Sequence, residues 1–307
     1  MMKEILKKAN RSNLVFDLFI VSGIFLVGLS LANYLGVTAR FDGFIFGWIS
    51  CVLLFIGIKV MEFYTLSEEQ LDMDHSFLKR IFPGLSATDT KKLAHPEYTG
   101  LIILLIFFGS WSAFQFVLLK NGILSDIHII WLALILITTF LLGMPTLRIV
   151  NSGFAELIQA MLLFGLIPIY AYQVISGQSH ILMSLMCMPI ALFYLAAKLI
   201  YGLYKYSEDQ KSGRQNFLQK TGWKQGMVYH NMFLLLGFVV FACIPLFGFA
   251  TRIFLNPLLV LPLGLVVIMM LYRIEHGKKP EWQSLIFIEK VLILLVFYFL
   301  IAAMILR

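Results

Sequence analysis

Charge is scarce in this 307-residue chain: 13% of its residues are Asp, Glu, Lys or Arg, against about 25% in soluble domains. Polar stretches are scarce too. The longest runs only from about 65 to 98, which leaves no room for a soluble domain beside the apolar part. There are three cysteines, Cys51, Cys187 and Cys243, each inside an apolar run, so neither a disulfide framework nor a cysteine metal site is encoded. The six histidines include no pair at zinc or haem spacing. His75, His95, His230 and His276 fall in or near connections and are expected at the surface or an interface. No matched pair of Gly- or Pro-broken apolar segments occurs, which argues against a transporter built on discontinuous helices.

What is present is apolar sequence: 60% of the residues are hydrophobic, with a mean hydropathy of +0.88. A helix needs roughly 20 apolar residues to cross a bilayer. Nine runs qualify, at about 13–35, 43–64, 99–119, 126–145, 153–174, 181–204, 227–248, 253–273 and 284–305. The expected fold is all-α, a nine-helix membrane bundle forming one domain over 1–307. The first run follows a basic start and resembles a signal sequence, but it is longer than an ordinary signal core and is read as a retained helix. Net charge is +7, and its placement speaks for topology rather than nucleic acid. With the N-terminus cytoplasmic, inner segments collect Lys3, Lys7, Lys8, Arg11, Lys79, Arg80, Lys91, Lys92, Arg148 and most later basic residues, while outer segments hold Arg40, Lys120, Arg252 and Arg307. This places the C-terminus outside. Attraction to anionic lipid is a secondary consequence.

Two connections are long, after the second run (about 65–98) and after the sixth (about 205–226). They lie four helices apart, the spacing of two similar halves with a ninth helix appended. Both follow spans that carry charge, and charge inside a span costs a few kcal/mol on insertion scales. Lys59, Glu62 and Glu69 share one face of the second helix if it continues; Lys198, Gly202, Lys205 and Asp209 make a similar stripe on the sixth. Glu156 in the fifth run and Lys290 in the ninth are also intramembrane. The stripes are explained either by snorkelling and local pairing or by a shared polar cavity. The pair Gly43 and Gly47 has GxxxG spacing, a weak signal for close helix packing.

The segment "KYSEDQKSGRQNFLQKTG" resembles the second Asp-rich motif of the UbiA superfamily of intramembrane prenyltransferases. Gly213, Arg214 and Gly222 keep the register, Asp209 stands at the second Asp, Lys205 replaces the first, and Asn216 replaces a Thr. "MEFYTLSEE" is similar to the first motif, with Met61 for Asn, Glu62 and Glu69 for the outer acids, and Thr65 for the middle one. "KRIFPGLS" follows with Arg80, Pro83 and Gly84 near register, and "GFAELIQAMLLFGLIPIYAYQVISG" resembles the menaquinone-pathway branch (1,4-dihydroxy-2-naphthoate polyprenyltransferase), with Glu156, Phe164 and Gly165 kept.

The resemblance implies nine helices around a lipid-open cavity in a bacterial cytoplasmic membrane. It implies transfer of a prenyl group from a prenyl diphosphate to a hydrophobic, aromatic or lipid acceptor. Glu62, Glu69 and Asp209 would be catalytic carboxylates holding Mg2+, because magnesium takes oxygen ligands and bridges carboxylate to phosphate. Lys79, Arg80, Lys205 and Arg214 would bind the diphosphate, and Lys59, Thr65, Glu156, Lys198, Tyr201 and Glu208 would line the cavity. Lys205 and Thr65 stand where metal ligands are expected, and an ammonium repels a divalent cation at close range. Three lysines (Lys59, Lys198, Lys205) balance three acids (Glu62, Glu69, Asp209), which raises a metal-free ionic cluster as an alternative. A second reading of function is a catalytically inactive relative that binds lipid or quinone or serves a membrane complex with an unknown partner.

Overall fold

The computed structural model describes residues 14–66, 96–124, 128–143, 153–211 and 217–306, and all the secondary structure among them is helical. Nine principal helices follow in chain order: α1 (Leu14–Tyr34), α2 (Phe41–Leu66), α3 (Pro96–Lys120), α4 (His128–Gly143), α5 (Ala155–Ser176), α6 (Ile181–Lys211), α7 (Trp223–Phe247), α8 (Thr251–Glu275) and α9 (Trp282–Ile305). Seven of them are long and apolar enough to cross a bilayer; in α3 and α4 the described apolar portions are shorter, Leu105–Lys120 and His128–Leu142. The chain is therefore a membrane protein. Water-free surroundings favour such helices because each satisfies its own backbone, and exposed side chains such as Phe116, Val239, Met269 and Phe287 give the outer surface its apolar character.

Two boundaries differ from the sequence expectation in a way that bears on function. The second helix extends through Leu66, and the sixth runs to Lys211 rather than stopping near 204. Lys205 and Asp209 are therefore helical, as their stripe with Lys198 and Gly202 required, and a short helix, Phe217–Thr221, precedes α7.

α1 lies against α2, α5 and α9, while α6 packs on α7 and α9, so α1 and α6 form the inside of the bundle. Small residues set the closest approaches. A Cβ at Gly43 would overlap the Val174 carbonyl, and one at Gly47 would come within 2.7 Å of Val174 Cγ2, so the GxxxG step of α2 seats α5. In α5, Pro168 has no N–H for the carbonyl one turn back, and the helix widens ahead of it into a π-helical turn, Leu162–Leu166. That turn holds Phe164 and Gly165 and brings the Phe164 ring to 5.3 Å from the Tyr194 ring of α6. α5 ends at Gly177, whose φ of 72° permits the left-handed cap, with its N–H donated to Gln173 O at 2.7 Å. On the same outer side Arg40 Nη1 donates to the Gly122 and Ile123 carbonyls, each at 3.2 Å, tying the start of α2 to the end of α3.

Substitution Gly43→Ala should force α2 and α5 apart and lower stability by about 1–3 kcal/mol. The control Gly109→Ala, where a Cβ meets nothing within 4 Å, should leave the melting temperature in detergent unchanged or slightly raised.

Candidate functional site

Asp17 is an acid in the first turn of an apolar helix, fully buried. Such a carboxylate persists in the membrane only with partners that replace its hydration. It has them from three other helices. Lys59 Nζ of α2 lies 3.4 Å from Oδ2, Lys198 Nζ of α6 lies 3.5 Å from the same oxygen, Gln159 Nε2 of α5 donates to Oδ2 at 3.3 Å, and the Tyr194 hydroxyl of α6 donates to Oδ1 at 3.0 Å. Lys198 Nζ also sits 4.8 Å above the Tyr194 ring, and Lys290 of α9 lies 5.6 Å from the Phe16 ring beside Asp17.

The sequence reading treated Lys59 and Lys198 as members of a three-lysine, three-acid balance that omitted Asp17. The structure adds that acid as the point where both lysines converge. Asp17 escaped notice because it lies near the start of a run that looked like a signal sequence, and because sequence does not show which helices face one another. Its ionisable character inside an apolar run was the available signal.

Further along α6, Lys205 Nζ rests 4.6 Å from the Tyr201 ring one turn back, and Asp209 is 8% exposed. Glu156 occupies the first turn of α5. Lys205 and Asp209 lie in the last two turns of α6. The helical backbone of α2 and α6 carries Glu62, Thr65 and Glu208, whose side chains lie outside the described residues, as do Glu69, Lys79, Arg80, Gly213 and Arg214 altogether. The expected contact of Lys205 with Glu62 or Glu69 thus also falls outside them.

A second polar pair was not anticipated. His230 of α7 is completely buried rather than at a surface or interface, and its Nε2 lies 2.6 Å from Glu289 Oε1 of α9, itself 1% exposed. The other ring nitrogen, Nδ1, faces Asn231 Oδ1 at 3.0 Å. His230 misled because it sits at the start of its span, where a loop position was expected. A third network, Ser50 of α2, Gln115 of α3 and Tyr170 of α5, joins helices through contacts of 2.9–3.2 Å. Gln115 also donates to Ser50 and accepts from Tyr170, so each polar atom in this network replaces bonds water would have made.

The donor set bears directly on magnesium. Among the described residues, no group of three or more His, Cys, Asp or Glu could hold a metal ion. Asp209 is the sole described carboxylate of the two acidic motifs, and the ammonium of Lys205 occupies a position one turn before it. The other two expected ligands, Glu62 and Glu69, have side chains outside the described residues.

Asp17→Asn should remove the buried carboxylate that two ammonium groups approach and destabilise by up to about 3–5 kcal/mol. Combining it with Lys59→Met should cost less than the sum of the two single changes, because both report one interaction. Denaturant titration of the detergent-solubilised protein measures this coupling; strictly additive losses would show that the contact carries no energy.

No family model matches the chain, and neither does any curated protein. Solved structures do. A UbiA homolog from Archaeoglobus fulgidus bound to GPP and Mg2+ matches with a TM-score of 0.52 at 14% identity, over 94% of this chain and 99% of that one. A UbiA homolog from the same organism bound to DMAPP and Mg2+ matches with a TM-score of 0.51 at 13% identity, over the same shares. At such identities the likeness is one of fold, and it extends over nearly the whole of both chains.

Proposed function

We propose that the chain is a UbiA-like intramembrane prenyltransferase with altered metal motifs, and that it moves a prenyl group from a prenyl diphosphate to a hydrophobic aromatic or lipid acceptor. The observation that supports this most is the fold shared over 94% of the chain with homologues bound to GPP or DMAPP. The motif resemblance on α2 and α6, the charged groups at the cytoplasmic end and the apolar exterior agree with it. The resemblance to the menaquinone-pathway branch rests on Glu156, Phe164 and Gly165 of α5, and a bacterial cytoplasmic membrane is the setting that goes with it.

In this reading the diphosphate lies at the cytoplasmic end of α2 and α6, and the prenyl chain extends into the apolar interior. The carbon–oxygen bond to the diphosphate breaks with its electron pair on the leaving oxygen. The acceptor supplies a pair to the allylic carbon and afterwards releases a proton. Lys205, Lys79, Arg80 and Arg214 stabilise the charge that builds on the departing group, while Glu62, Glu69 and Asp209 complete the polar end of the cavity. Mg2+ accompanies the prenyl diphosphates in the homologue structures. Where a magnesium ion binds, Glu62, Glu69 and Asp209 would hold it and it would share the neutralisation of the diphosphate with the basic residues.

A second reading has its own observation. Lys59 and Lys198 converge on Asp17, so charges that could serve a substrate already serve the fold. That suits an inactive relative which retains a lipid or quinone site or supports a membrane complex.

One assay separates the readings. Purified protein is incubated with GPP, DMAPP and longer polyprenyl diphosphates, with and without Mg2+ and aromatic acceptors, and both binding and pyrophosphate release are followed. Pyrophosphate release is the expected result, with Lys205→Met weakening diphosphate binding about tenfold, equivalent to about 1.4 kcal/mol, and leaving the melting temperature unchanged. Binding without release across all chain lengths and acceptors selects the inactive relative. Absence of both overturns the prenyl diphosphate assignment.

A further inference from the structure

The corner where α7, α8 and α9 meet carries a charge pattern that prenyl transfer does not use. α8 ends in a left-handed turn at Gly277, with φ 85°. There Gly277 N–H donates to Ile274 O and Lys278 N–H donates to Arg273 O, each at 3.0 Å. That turn folds Lys278 and Lys279 back beside Arg273. α9 begins three residues later, and its Trp282 ring stands edge to face with the Trp223 ring at the start of α7, 6.4 Å away. Both indoles pack on the apolar cluster that holds Met227, Leu271, Ile274 and Leu285, which fixes them in place. Lys224 follows in the first turn of α7. Four cations from the ends of three helices thus flank one pair of indoles.

Lys224, Arg273, Lys278 and Lys279 are all exposed, and no ion pair among the described residues engages any of them. Glu275 and Glu281 are the acids beside them in the chain, so the corner keeps a positive excess. The opposite end of the same helices, from Cys243 to Pro257, carries Arg252 as its single charged residue. The excess therefore belongs to one end. Away from the cations each helix turns apolar along the same face. α7 exposes Lys224, Val228, Leu235 and Val239 at helical spacing, α8 exposes Val266, Met269, Arg273 and His276, and α9 exposes Phe287 beyond Trp282. A soluble anion has no use for such a wall. A phospholipid has: acyl chains lie against the apolar rows, indoles favour the boundary between chain and headgroup, and phosphate oxygens pair with ammonium and guanidinium groups.

We propose that this corner is a binding site for the headgroup of an anionic phospholipid, with Lys224, Arg273, Lys278 and Lys279 around the phosphate and the Trp223–Trp282 pair at the base of the headgroup. The site lies outside both acidic motifs and stands whether or not the chain transfers a prenyl group.

Native mass spectrometry of the full-length, delipidated protein in detergent compares dioleoyl phosphatidylglycerol with dioleoyl phosphatidylcholine at equal concentration. A basic residue close to an anionic surface contributes roughly fivefold in affinity, so phosphatidylglycerol should bind at least about tenfold more tightly. In K224Q/R273Q/K278Q/K279Q that preference should fall to within about twofold, while R252Q at the opposite end keeps it. Excess sn-glycerol 3-phosphate should not displace the lipid. Equal binding of the two lipids by the natural protein, a preference that survives the quadruple variant, or one lost equally in R252Q overturns the site. Displacement by glycerol phosphate assigns the corner to a soluble anion and overturns the lipid assignment. Should the quadruple variant fail to give a cooperative melt, K278Q/K279Q, confined to the turn after α8, takes its place. A preference reduced at least about threefold there supports the site, and a smaller change overturns it.

Discussion

The constraint on which one end of the bundle depends is the burial of one carboxylate, Asp17, among helices that cannot offer it water. An isolated charge there would be expelled or neutralised, so α2, α5 and α6 each contribute a partner, and their relative positions follow from reaching the same two oxygens. Hydrophobic matching alone does not discriminate among helix neighbours in a membrane, because lipid is as apolar as leucine. A multi-partner carboxylate does discriminate. It makes α1 the hub of the packing, and it explains why α1, with an acid in its first turn, is nonetheless among the most enclosed helices.

The opposite half of the bundle is organised differently. There Gly43 and Gly47 of α2 admit Val174 of α5, and Arg40 binds the carbonyls that follow α3. Close backbone approach sets spacing on that side, while ionic and hydrogen-bonded contacts set it on the other. The Ser50–Gln115–Tyr170 network lies between the two regimes. This division leaves one end of the bundle polar and the other closely packed.

The two lysines on Asp17 and the His230–Glu289 pair occupy neighbouring parts of the same region, joined through α6 and α9. Lys198 touches Asp17 and also lines a small cleft that Glu289 borders. Ion pair and cleft thus share one side chain, so a change at either is felt by the other.

Hydropathy in the sequence determined the membrane class, the helical architecture and the approximate runs, since lipid burial imposes those properties residue by residue. The GxxxG step was also legible because its spacing is local. What lies between helices was not legible. Asp17 and Glu289 sat in runs whose composition concealed them, and His230 looked like a loop residue. Only the tertiary structure decided which charges meet, because in a bundle of nearly uniform apolar helices the neighbours of a buried carboxylate depend on rotation and order in space, and these are set by the whole packing rather than by any one segment.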